Sequence, residues 1–312
     1  MTNEEKAMVS SNFIKAGHPI YKVLKIVDLG SSTYYYKSKT GGKPGRPYSA
    51  FTLTESGQKH SNNQVLIDIQ DLFLGEFVDY GYLKTTHWLR QNKSYIINPK
   101  KVYRLMSENG LLNKFKYKKK SKRNWVKDLL PPTKEAFDYQ EFDIKYVYIA
   151  GTNTNALVLT VICVKTRWVM GHYMANSIKE QDVIELFTQI YGEYPLPKSI
   201  YVRNDNGSQF IANSVQKYFK DENVTQEFCK PATPQQNAHI ESYHSIMECL
   251  VCQRYEFKNI NEGQDTLNRF VNFYNFERIH SGVGYTSPYK YLLTLQIDMK
   301  LYYLNKPLDC KQ

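Results

Sequence analysis

From residue 142 to residue 276 the chain reads as three β-rich runs in succession, followed by strand and helix in alternation, and few folds accept that order. The runs "FDIKYVYIA" (142–150), "LVLTVICV" (157–164) and "RWVMGHYM" (167–174) are joined by short loops, which predicts three consecutive antiparallel strands. Helical spacing of apolar residues follows in "IKEQDVIELFTQIY" (178–191), then a fourth strand in "SIYVR" (199–203). A second helix, "IANSVQKYFKDEN" (211–223), and a fifth strand, "VTQEFC" (224–229), come next. Helices predicted from Gln236 to Tyr255 and from Glu262 to Phe276 complete a βββαβαβα order. The expectation is an α/β domain, a mixed five-stranded sheet with flanking helices.

The front half differs in kind. Of the net charge of +11, residues 1–130 hold 23 Lys and Arg against 10 Asp and Glu, a net of +13, while residues 131–312 hold 18 against 20, a net of −2. A basic half joined to a near-neutral half suggests a part that grips a polyanion coupled to a part that does something else. With 42% hydrophobic and 23% charged residues, composition argues against wholesale disorder or a fibrous repeat. The longest apolar run, "ALVLTVICV" (156–164), is too short to cross a bilayer, and "MTNEEKAMVSSNF" lacks a signal peptide's apolar stretch, so a cytoplasmic protein with no membrane partner is expected. Five scattered cysteines do not make a disulfide framework.

Within that basic half, "PIYKVLKIVDL" (19–29) has helical spacing and ends at Gly30, after which Ser31 or Ser32 can cap "STYYYKSK" as the second helix of a helix-turn-helix over residues 1–40. A linker rich in Gly and Pro is expected over 41–60, and a second helix-turn-helix over 61–113. There "YGYLKTTHWLRQN" (80–92) precedes "NPKKVYRLMSENG", with Asn98 as N-cap, Pro99 at the first helical position and Gly110 just past the end. Val102, Leu105 and Met106 share one face of this last helix, leaving Lys100, Lys101 and Arg104 as candidate DNA contacts or as an ordinary solvated face. The stretch 114–137 is expected to be a basic linker. Its Lys114, Lys116, Lys118, Lys119, Lys120, Lys122 and Arg123, interleaved with Phe115, Tyr117 and Trp125, suit either phosphate neutralisation with stacking or a solvated tether. The catalytic domain is expected over 138–300 and a tail over 301–312.

Three acidic residues stand out against this frame. Asp143 lies in the middle of the first predicted strand, where a carboxylate is disfavoured unless its charge is used. Asp205 ends the fourth strand in front of an Asn-Gly turn, and Glu241 lies near the start of the long helix. Two metal ions that clamp an in-line phosphoryl displacement need converging carboxylates, and Mg2+ prefers such hard oxygen ligands.

The surrounding motifs resemble those of a known family. "NDNGSQF" (204–210), "TPQQNAHIESYH" (233–244), "NFYNFERIHSGVGYTSPYKYL" (272–292) and "DYGYLKTTHWLRQNKSYIINPKKVYRLMSENGLL" (79–112) are similar, in order, to segments of OrfB-type insertion-sequence transposases of the IS-three group and, more distantly, of retroviral integrases. The resemblance implies an RNase H-like catalytic core preceded by small all-α helix-turn-helix domains, with Asp143, Asp205 and Glu241 as a catalytic, metal-binding triad. It implies two Mg2+ ions, with Mn2+ able to substitute, and strand cleavage followed by attack of the freed 3′-OH on a new phosphodiester. Expected partners are double-stranded DNA, both element ends and target, further copies of the chain in the synapse, and the product of an upstream reading frame. The expected place of action is the bacterial nucleoid.

This chain also departs from the family pattern. Gln140 and Lys145 stand where Trp and Thr are usual, and Glu248 where a DNA-facing Lys is often found. Lys145 shares a strand face with Asp143, while Asn237, Glu241, Ser245 and Glu248 share a helix face, so Lys145 and Glu248 are expected to form a swapped charge arrangement that modulates the site. Such changes leave open a transposase-derived DNA-binding protein with impaired catalysis, and a nuclease of the same fold that cuts without joining. Cys249 and Cys252, with His239 and His244 near, fit buried thiols of one continuous helix better than a zinc site. His280 suits a structural hydrogen bond or a DNA contact equally well.

Overall fold

The computed structural model describes residues 1–36, 48–113, 133–229 and 234–300. Two compact units divide the chain, Met1–Ala50 and Phe51–Gln312. In the first, helix α1 (Asn3–Lys15) is closed by a capping box in which the Thr2 hydroxyl accepts the Glu5 N–H and the Glu5 carboxylate accepts the Thr2 N–H. Helix α2 (Ile20–Val27) buries Val23 and Leu24 and stops at Asp28, which adopts the left-handed conformation. Gly30, expected as the stop, is instead the N-cap of the short helix α3 (Ser31–Tyr35).

The second unit opens with strands β1 (Phe51–Thr54) and β2 (Lys59–Ser61), then helices α4 (Asn62–Phe73) and α5 (Tyr82–Lys93), strand β3 (Tyr95–Ile96) and helix α6 (Pro99–Glu108). Asn98 caps α6 by accepting the Lys100 N–H, and Gly110 past its end has φ +67, a conformation that favours glycine. Helices α4 to α6 share a core of Val65, Ile69, Leu89, Val102, Leu105 and Met106. A small antiparallel sheet, order β2-β1-β3, adds to the helical unit expected from sequence. Strands of two to four residues carry too little alternation to be read, and β1 falls in the stretch expected as linker.

The α/β region follows the predicted order. Strands β4 (Tyr139–Ile149), β5 (Thr154–Cys163) and β6 (Val169–Ala175) form an antiparallel meander, helix α7 (Glu180–Glu193) crosses over, and β7 (Ile200–Asn204) returns parallel to β4. Helices α8 (Ser208–Ile211) and α9 (Asn213–Asp221) lead to β8 (Val224–Phe228), giving a five-stranded mixed sheet of order β6-β5-β4-β7-β8. One sheet face packs Phe142, Leu159 and Val161 against Phe187 of α7 and Phe219 of α9. The other packs Val147, Val158 and Ile162 against helix α10 (Ala238–Met247) and helix α11 (Ile260–Phe276). Gly151, between β4 and β5, is required by close approach, since a Cβ there would lie 1.9 Å from the Lys258 carbonyl oxygen.

The helix expected from Gln236 to Tyr255 is three pieces: a 3-10 turn over Pro234–Asn237, α10, and a π-helical turn over Glu248–Cys252. Periodicity alone does not separate these, because apolar residues at mixed spacings of three, four and five bury equally well. The break leaves Cys249 exposed and Cys252 half-buried, not the buried thiols expected.

The α4–α6 unit is bolted to the α/β region. Phe77 sits edge-on to Phe270 at 5.5 Å, Arg278 forks onto Asp79 at 2.6 and 3.1 Å, and the Tyr80 hydroxyl accepts the Ile279 N–H at 2.9 Å. His87 stacks on Tyr285 at 4.2 Å, and Gln91 donates to the Tyr285 carbonyl. Helix α12 (Pro288–Thr294) follows, capped by Ser287. His280 is buried edge-on to Tyr274.

Candidate active site

Parallel pairing of β4 with β7 sets Glu141 level with Arg203 and ends there, two residues before Asp143 on β4 and two before Asp205 in the turn that follows β7. Crevices at such strand ends are where open α/β sheets present their chemistry. Residues Glu141, Asp143 and Lys145 share the β4 face that α10 covers. Glu241 projects from the first turn of that helix.

Burial first, then the charges of Asp205 and Glu241, push the Asp143 carboxyl up to about 7, against the pull of the Ile144 N–H and Lys145. Glu241 is raised by burial as well. Asp143 Oδ1 accepts the Ile144 N–H at 2.8 Å, and Asp205 Oδ1 accepts the Gly207 N–H at 2.9 Å, an Asx turn that fixes the Asn-Gly loop. Asn204, fully buried behind Asp205, is held by Gln226 at 3.0 Å.

Lys145 directs its ammonium to Glu248 at 2.8 Å. Glu248 is accordingly lowered below the usual carboxylate range. His244 Nδ1 is 3.6 Å from Asp143 Oδ2, but burial and Lys145 depress its pKa to about 3, so it is neutral near pH 7. Asn237 is buried and its Oδ1 finds no hydrogen-bond partner among the described residues, unlike Glu241 and Ser245, which are exposed.

A layer below lies a polar row that sequence reasoning missed. Arg203 donates to Glu227 at 2.7 Å and to the Gln236 carbonyl at 2.9 Å, and Tyr139 donates to the same Glu227. Glu141, 1% exposed, accepts the N–H groups of His239 and Ile240, and burial raises its carboxyl to about 7. The available signal was a charged residue two positions before each of Asp143 and Asp205, on the same strand faces.

The donor set suits a hard divalent cation, being oxygen-rich and short of compensating positive charge. Among the described residues, no three His, Cys, Asp or Glu stand close enough to grip an ion as they are. Of the candidate DNA contacts, Lys101 donates to the Phe51 carbonyl and Arg104 pairs with Glu108, so both also serve the fold, while Lys100 is exposed. Lys114, Lys116, Lys118, Lys119, Lys120, Lys122 and Arg123 lie outside the described residues.

Residues 134–234 match an integrase core domain, residues 222–288 a second integrase core domain model, and residues 60–120 an HTH-like domain. The transposase for insertion sequence element IS904 of Lactococcus lactis subsp. lactis (strain IL1403) is 26% identical over 222 residues, covering 67% of this chain and 85% of that protein. A protein named as transposase InsK of element IS150 in Escherichia coli (strain K12) is 23% identical over 295 residues, 90% of this chain and 95% of that one. A protein named as integrase ORF3 of Spiroplasma virus SpV1-C74 is 28% identical over 151 residues, and the match spans only 41% of its length. Among solved structures, the catalytic core domain of BIV integrase is similar at 15% identity and a TM-score of 0.39, covering 51% of this chain and 97% of that one. The chain thus carries an integrase core domain preceded by an HTH-like domain, and the relatives it resembles include named insertion-sequence transposases.

Proposed function

We propose that the protein is a DNA transposase that binds the ends of an insertion sequence and carries out Mg2+-dependent strand cleavage and strand transfer, with Asp143, Asp205 and Glu241 holding two divalent cations. One observation carries this assignment: within the residues that match the integrase core models, a carboxylate stands in mid-strand at Asp143, with one more in the turn after β7 at Asp205 and one in the first turn of α10 at Glu241. When bound, the cations would activate the attacking oxygen and stabilise the leaving one. Asp143 is held by the sheet, Asp205 by its Asx turn and Glu241 by a helix, so the ligands are carried on rigid elements.

In the first reaction, water attacks a phosphodiester at the element end and the bond to the 3′ oxygen breaks, leaving a 3′-OH. In the second, that hydroxyl attacks a target phosphodiester, one P–O bond forming as another breaks, so no external energy source is needed. No protein side chain forms a covalent bond to DNA. Lys145 pairs with Glu248, not Asp143, which supports an intact site over a spoiled one. Residues 61–113 and the basic stretch 114–137 would grip the element ends, 138–300 would do the chemistry, and several copies would join two ends.

A labelled terminal inverted-repeat duplex incubated with the protein and Mg2+ tests this. Joined products are expected. Cut but unjoined DNA would point to a nuclease, and a gel shift without cleavage to a DNA-binding protein.

A further inference from the structure

Three successive residues on the covered face of β4 are charged, Glu141, Asp143 and Lys145, and only the middle one has a part in the proposed chemistry. The outer two each grip an end of α10. The Glu141 Oε2 accepts both the His239 and Ile240 N–H groups at 2.8 Å, the second and third residues of the helix. These are orphan donors that the N-cap residue Asn237 does not satisfy, since its side chain makes no capping bond. At the other end, Lys145 Nζ meets Glu248, the residue after the last of α10, where the backbone widens into the π-helical turn. Arg203, level with Glu141 on β7, reinforces the first grip through the Gln236 carbonyl.

Lengths agree. Four residues of strand from Glu141 to Lys145 span about 13 Å at ~3.3 Å each. The helix from its Glu141-bonded amides to Glu248 also spans about 13 Å at ~1.5 Å per residue. Asp143 lies midway along the gripped strand, and Glu241 lies between the two attachments.

We propose that Glu141 and Lys145 are positioning residues: a two-point clamp from β4 that holds α10 and thereby sets Glu241 against Asp143. This rests on the assignment of those two carboxylates as cation ligands. A clamp of this kind is felt in cation affinity and turnover, not in DNA-end binding, and supporting contacts of metal ligands are typically worth about 10- to 100-fold.

The test uses the full chain with four variants, Lys145→Glu, Glu248→Lys, the double exchange, and Glu141→Leu, with Glu141→Gln as the conservative control. Mn2+ binding without DNA is read by electron paramagnetic resonance, amide exchange at residues 239 and 240 by mass spectrometry, and strand transfer as kcat and KM. Each single exchange is expected to weaken Mn2+ binding and kcat about 10-fold or more with KM unchanged. The double exchange should recover most of the loss. Glu141→Leu should speed exchange at residues 239 and 240, and Glu141→Gln, which keeps an acceptor, should restore part of the protection. A double exchange no better than the worse single variant, or exchange in Glu141→Leu as slow as in the wild type, overturns the clamp. If Glu141→Leu does not fold, the charge exchange alone decides. Asp143→Asn is the separating control. Unchanged Mn2+ affinity in that variant sinks the ligand assignment, whereas lost affinity with no recovery in the double exchange sinks the clamp alone.

Discussion

Asp143→Asn, Asp205→Asn and Glu241→Gln should each reduce the rate of strand transfer by about 10³-fold or more while leaving a gel shift on element-end DNA within twofold. Each change keeps size and one acceptor oxygen but removes a negative charge that a cation needs. The three act as one unit, so a double substitution should cost little more than the worse single one. Asp143 is the most sensitive, because it is half-buried in mid-strand, whereas Asp205 and Glu241 are exposed. Single-turnover rates with Mg2+ in excess measure this. A variant that retains a tenth of the wild-type rate would remove its residue from the set.

Arg278→Ala should destabilise the Phe51–Gln312 unit by about 3 kcal/mol, since removal of one partner leaves a largely buried ion pair uncompensated. The Arg278 side chain is 2% exposed and forks onto Asp79, whose carboxyl it holds below the ordinary value against burial. Lys84, depressed to about 8 by burial and by Arg278, stands nearby and would take up part of the lost charge, which keeps the cost from being larger. Replacing both partners by apolar residues, Arg278→Met with Asp79→Leu, should cost less than Arg278→Ala alone. Urea denaturation gives the comparison. A loss below 1 kcal/mol for Arg278→Ala would mean that Phe77 and Tyr80 dock the helical unit without the ion pair.

Much of the α/β region was legible in the sequence because β5, "TNALVLTVIC", is apolar almost throughout and so must be buried on both faces. The caps of α6 were legible for a different reason: Asn98, Pro99 and Gly110 are local signals that need no tertiary context. What escaped is tertiary. The β1–β3 sheet depends on pairing across some forty residues, and the π-helical turn at Glu248 depends on what Glu248 must reach. Lys145 and Glu248 stand out in the sequence as departures from the family pattern, and the strand and helix faces they occupy suggest that they pair. Glu141 drew none, because a buried glutamate that caps a helix nearly a hundred residues away looks, in sequence, like any polar residue in a strand.

Diffraction from crystals grown with Mn2+, collected at the manganese edge, tests the central claim most directly. Anomalous peaks coordinated by carboxylate oxygens of Asp143, Asp205 and Glu241 are the predicted result. Manganese bound elsewhere, or none bound while these three side chains stay apart with DNA present, would contradict it.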